Sequence, residues 1–177
     1  MFSCVEIGEI VMKRIELSEE EKREFIDYML RNEELEKMIQ NRNKALPFYE
    51  ISVLSSILSS CKDDAGLIVA VSSDEIPVGV DNIELYTELT KQSVMHCAEK
   101  EDGTKYVMVF TSRNKFMGFD TLSGVVMPID TLIRLICLKK EETDGIVINL
   151  GKEELIIKMS ALELLYNCIC ESNPKPK

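Results

Sequence analysis

The chain has no tryptophan, a single histidine (His96), eight glycines and five prolines. Each scarcity removes a class of function. One histidine leaves little for a metal centre, and no Cys-x-x-Cys pair accompanies it, so structural zinc, which takes four N/S ligands at characteristic spacing, is not expected. No run approaches the ~20 apolar residues of a membrane-spanning helix. Residues 1–11 carry acids before any base and no continuous apolar stretch, so a secretory signal is not expected there. Basic residues are outnumbered, 21 against 31 acids, for a net charge of −10. That balance repels nucleic acid and anionic membrane, since binding either depends on Lys and Arg neutralising phosphates. A basic protein partner is compatible with it, and the oligomeric state stays open.

What is present is an ordinary globular composition, 45% apolar and 29% charged, at a length that favours one domain. Six cysteines stand at 4, 61, 97, 137, 168 and 170. Cys137 and Cys168 fall in apolar helical patterns, where a reduced thiol acts as a small hydrophobe. The expectation is a reduced, cytoplasmic protein without cofactors.

Residues 1–17 are an awkward opening, read as a short strand or arm. Ser18 with Glu21 forms a capping box that starts a helix with Phe25, Ile26, Met29 and Leu30 on one side. Asn32 is placed to cap a second helix carrying Leu35, Met38 and Ile39. Ile51, Leu54, Leu58 and Cys61 repeat at helical spacing, and residues 67–71 form a short β-branched run typical of a buried strand. Residues 72–90, with Pro77 and Gly79, read as a loop. Residues 93–98 and 105–110 flank Asp102-Gly103 as a hairpin. A strand at 124–127 leads to Pro128 at a first helical position, then to a stripe of Ile129, Leu132, Ile133, Ile136 and Cys137. Residues 146–150 form a central strand, 155–159 its antiparallel neighbour. Ser160 with Glu163 suggests a second capping box before a helix burying Ala161, Leu164, Leu165, Cys168 and Ile169. The predicted class is α+β, a single mixed sheet of about five or six strands packed with helices.

The run from Asp102-Gly103-Thr104 through Val107, Val109 and Phe110-Thr111-Ser112, with Gly145-Ile146-Val147-Ile148-Asn149 downstream, resembles the SseB protein N-terminal domain family. The first is its Gly turn entering a strand that ends Phe-Thr-Ser; the second is its Gly-hydrophobic strand ending in Asn. Leu150 stands where the family usually has proline. The likeness spans about residues 32–166. It divides the chain into an N-terminal arm and helix over 1–31, a family-like domain over 32–171 and a disordered tail over 172–177. The resemblance implies a bacterial protein with no inherited catalytic residues, and the family's name implies a link to serine metabolism without a mechanism.

Chemistry-bearing groups are few. His96 and Cys97 are successive strand residues facing opposite sides, which rules out mutual activation. Cys168 and Cys170 sit about 200° apart on a helix and do not converge. Asp63-Asp64 and Glu153-Glu154 read as solvated turn acids. Thr111-Ser112-Arg113-Asn114-Lys115 is the least bland segment. Two hydroxyls and two cations follow a strand's carboxyl end, an anion-binding arrangement if a helix starts there. Thr111, Ser112, Arg113 and Lys115 are therefore the candidate site, for an anionic metabolite or a peptide carboxylate. The favoured function is a non-enzymatic binding domain, a protein-interaction or regulatory module. The alternatives are a small-molecule sensor or enzyme of amino-acid metabolism, and an acidic immunity-type protein.

Overall fold

The computed structural model describes residues 17–41, 49–86, 93–151 and 153–172; the arm at 1–16, the polar run after 41, Pro47 and the tail lie outside them. Six helices are described: α1 (Glu19–Met29), α2 (Glu33–Gln40), α3 (Tyr49–Lys62), α4 (Arg113–Phe116), α5 (Ile129–Leu138) and α6 (Met159–Ser172). The strands are β1 (Gly66–Ser72), β2 (Glu84–Leu85), β3 (Val94–Met95), β4 (Cys97–Glu99), β5 (Lys105–Phe110), β6 (Ser123–Pro128), β7 (Gly145–Ile148) and β8 (Leu155–Lys158).

The strands make one mixed sheet in the order β2-β6-β1-β5-β7-β8. The β2–β6 and β5–β7 pairs are parallel and the other neighbours antiparallel. The hairpin forms as expected. Gly103 takes φ +82, and Asp102 Oδ1 accepts from the Thr104 N–H at 2.9 Å. Its first strand changes partner midway: β3 pairs with β1 and β4 with β5. His96 stands at the crossing, donating its N–H to Ala70 and accepting from Met108 through its carbonyl.

Strand alternation divides the core into two layers. Leu67, Val69, Val107, Val109, Ile146 and Ile148 face the layer that holds α2, α3, α5 and α6. Ile68, Ala70, Met108, Phe110, Val126 and Val147 face the other, where α1 supplies Ile26 and Met29 and α4 supplies Phe116. Phe110 stacks edge-on against Phe116, ring centroids 5.2 Å apart.

Several local expectations change. Residues 72–90 are not all loop: they hold a 3-10 turn at Val80–Asn82 and the edge strand β2, too short to show a period. Pro128 ends β6 and is the N-cap of α5, one position earlier than expected. The α6 helix begins at Met159, so Ser160 lies inside its first turn rather than ahead of it. Phe25, Ile51, Leu164 and Cys168 are exposed. In α3 and α6 apolar residues run most of the way round, so packing sets the buried phase: Val53 and Ile57 in one, Leu162, Leu165 and Ile169 in the other. Leu150 is half-buried against the second layer. Among the described residues no helix is long and apolar enough to cross a membrane.

Candidate functional site

The parallel pairing of β5 and β7 brings Val109 beside Ile148, so both strands end at the same level. Thr111 follows the first and Asn149 the second. Asn149 adopts φ +56, a left-handed conformation that asparagine tolerates better than most residues. Its side chain turns back across the strand ends. Oδ1 accepts from the Thr111 N–H at 3.0 Å, and Nδ2 donates to Thr111 Oγ1 at 3.0 Å. The Thr111 hydroxyl in turn donates to Glu36 of α2 at 2.5 Å. Asn32, at the start of α2, reaches the same place. It makes no side-chain cap; instead Nδ2 donates to the carbonyls of Gly66 at 2.8 Å and Thr111 at 3.0 Å. Asn32, Thr111 and Asn149 are all buried. A closed polar knot therefore ties α2 and the ends of β1, β5 and β7 together. Asn32 Oδ1 is buried with no partner among the described residues.

The four residues singled out by the sequence diverge from this point. Thr111 is fully buried, its hydroxyl engaged on two sides. Ser112 is the N-cap of α4 without a side-chain capping bond, and α4 is only four residues long. Arg113 turns to α1, where Nε donates to Asp27 at 3.0 Å, and to the 3-10 turn, where Nη1 donates to the Val80 carbonyl at 3.0 Å. Lys115 turns the other way to Glu153 in the β7–β8 turn at 2.8 Å. The segment works as a clamp: Thr111 at one end grips α2, Arg113 in the middle grips α1, and Lys115 at the far end grips the β7–β8 hairpin. Sequence reasoning singled out this segment as an anion site rather than a clamp, and missed Asn32, Glu36 and Asn149 as its partners. Only Asn149 carried a local signal, a strand-final asparagine followed by a turn.

Beside the clamp, Glu19, Lys22, Arg23, Asp81, Glu84 and Arg113 border a groove of about 90 Å³. Lys22 pairs there with Glu84. The histidine and its neighbour stay apart: His96 Nδ1 lies 3.4 Å from Ser72 Oγ, while Cys97 packs against the helical layer. Burial pushes the Cys61 thiol up to about 12 and raises those of Cys97 and Cys137. Among the described residues no group of three potential ligands could hold a metal.

No curated protein and no solved structure gives a significant match to the chain. The family model of the SseB protein N-terminal domain does match, over residues 63–163. That stretch contains β1, the hairpin, Thr111 with its clamp, α5, and the Gly145–Asn149 strand, and it covers more than half of the chain. The chain belongs to the SseB protein N-terminal domain family.

Proposed function

We propose that this SseB-family domain acts by binding and without catalysis, as a cytoplasmic protein-interaction or regulatory module. The observation that carries the reading is the outer face of α1. Phe25 and Tyr28, one turn apart, are 47% and 51% exposed, while Ile26 and Met29 on the same helix are buried. Arg31 lies over the Tyr28 ring, 5.3 Å from its centroid. Aromatic side chains and arginine are the residue types that dominate binding energy at protein interfaces. Asp27 and Lys22 anchor the helix through Arg113 and Glu84, so the aromatic pair is presented on a fixed support. The net charge of −10 suits a partner with a basic surface.

A small-molecule sensor or enzyme, with Thr111, Ser112, Arg113 and Lys115 at its anion site, is the second reading; two cations just past the end of β5 favour it. Against it, Arg113 and Lys115 already serve Asp27 and Glu153, and the Thr111 hydroxyl is enclosed. The groove beside the clamp, about 90 Å³, is also far below the roughly 300–1,000 Å³ of ordinary small-molecule sites.

Affinity capture from the producing cell, with the native chain against the Phe25→Ala/Tyr28→Ala variant, tests the proposal. A stoichiometric protein partner is expected on the native chain and not on the variant, whose unfolding midpoint stays close to native. A partner held equally by both, or no partner together with saturable binding of an anionic metabolite at Arg113 and Lys115, contradicts it.

A further inference from the structure

Strand β8 closes the sheet, and no described strand pairs with its outer edge. The phase of its ladder fixes what that edge offers. The Met159 N–H donates to the Asp144 carbonyl at 2.8 Å, which makes Asp144 and Met159 a hydrogen-bonded pair. Such pairs alternate along an antiparallel ladder, so Ile146–Ile157 and Ile148–Leu155 bond in the same way. Gly145–Lys158 and Val147–Ile156 are the non-bonded pairs between them. The N–H and C=O groups of Ile156 and Lys158 therefore point away from β7, to the side where no described strand pairs.

We infer that a second copy of this chain docks here, β8 against β8 in antiparallel array about a twofold axis at Ile156. Side-chain chemistry selects that register. Only with Ile156 opposite its own copy does each Lys158 face Glu154 of the other chain, twice by symmetry. Centring on Glu154 or Lys158 instead sets like charges against each other, which destabilises strand pairs. In the selected register Leu155 faces Ile157 across the axis on the helical side of the sheet. Glu154 also accepts from the Gly151 N–H at 3.5 Å, within its own turn. A lysine on a short edge strand commonly blunts strand addition. In this register the same lysine acts as a pairing group.

The layer above agrees. Helix α6 packs over β7 and β8, with α5 beside it. The Lys140–Glu163 ion pair marks the side of α6 that faces α5. Leu164, 61% exposed, and Cys168, one turn further on, lie round the helix from Glu163, on the flank turned away from α5. A twofold at β8 brings those flanks together, so the docked copies share a sheet and cover an apolar strip.

The inference stands on β8 alone and does not need the α1 surface, so either can fail without the other. Sedimentation of the full chain at micromolar concentration is the test. The native protein is expected to be a dimer. Lys158→Glu, which puts two carboxylates opposite each other twice, is expected to raise its dissociation constant about tenfold or more. The Glu154→Lys/Lys158→Glu double variant is expected to restore it. Ile156→Pro is a second probe: the Ile156 N–H faces outward, so proline removes an edge donor without breaking a bond to β7. A monomeric native protein overturns the inference. So does a dimer indifferent to both Lys158→Glu and Ile156→Pro, or a charge swap no tighter than the single reversal.

Discussion

Gly145 shows why a family signature can be physical rather than chemical. Its φ is +145, and a Cβ there would run into the Ile157 carbonyl of the neighbouring strand. Gly145→Ala is expected to cost at least about 3 kcal/mol, from the disfavoured dihedral and the clash together, read as a lower urea midpoint. Asn149 combines two roles, a left-handed backbone and two bonds to Thr111. Asn149→Ala leaves the buried Thr111 N–H without a partner, a loss of about 1–3 kcal/mol. Asn149→Gly keeps the backbone at ease and should be less harmful than alanine by about 1 kcal/mol; equal losses would show that the dihedral does not matter. The sequence displayed both residues, but not why they were there, because the Ile157 carbonyl and the Thr111 amide are distant in the chain. Cys61 carries a pH dependence. Burial, aided by Asp130, raises its thiol from 9.0 to about 12. Below pH 9 its contribution to stability is complete; it fades as pH climbs toward 12, where an unfolded thiol ionises more readily than the folded one. Alkylation at neutral pH should label the exposed Cys168 and Cys170 first, leaving Cys61 unmodified until the protein unfolds; early labelling of Cys61 would contradict the packing of α3.

Among the elements, α1 is specified most locally. Ser18 Oγ accepts from the Glu21 N–H and the Glu21 carboxylate accepts from the Ser18 N–H, the reciprocal box legible in the sequence. Ser18→Ala should lower stability by about 1 kcal/mol and fray the first turn, seen as faster amide exchange there; unchanged exchange would mean that packing alone holds the helix. The hairpin at Asp102-Gly103 was legible for the same reason: its turn chemistry lies in neighbouring residues. The buried faces of α3 and α6 were not, since apolar residues on several sides leave the rotation of a helix to its neighbours. Strand β2 was hidden for a different reason. Two residues carry no period, and it exists because Glu84 and Leu85 meet Val125 and Val126 of β6.

At the scale of the molecule, the family match begins at residue 63, yet Leu35, Ile39, Val53 and Ile57 from α2 and α3 lie in the same core layer as β1, β5 and β7. The other layer draws Ile26 and Met29 from α1, each worth about 1.5–3 kcal/mol when buried. The helices ahead of the match thus complete the fold that the matched stretch begins. The common layer of β5 and β7 was anticipated by two apolar runs, each entered through a glycine. The polar knot that closes their ends was not, because its members are 79 and 38 residues from Thr111 along the chain. The central claim is that Thr111 serves the fold by joining α2 to both strand ends, which leaves the exposed face of α1 as the proposed place of partner contact. Thr111→Val keeps the side-chain shape and removes the hydroxyl. The urea unfolding free energy of that variant tests the claim most directly. A loss of about 1–3 kcal/mol is predicted, from the stranded Glu36 and Asn149 groups; an unchanged value would contradict it and return the hydroxyl to chemistry.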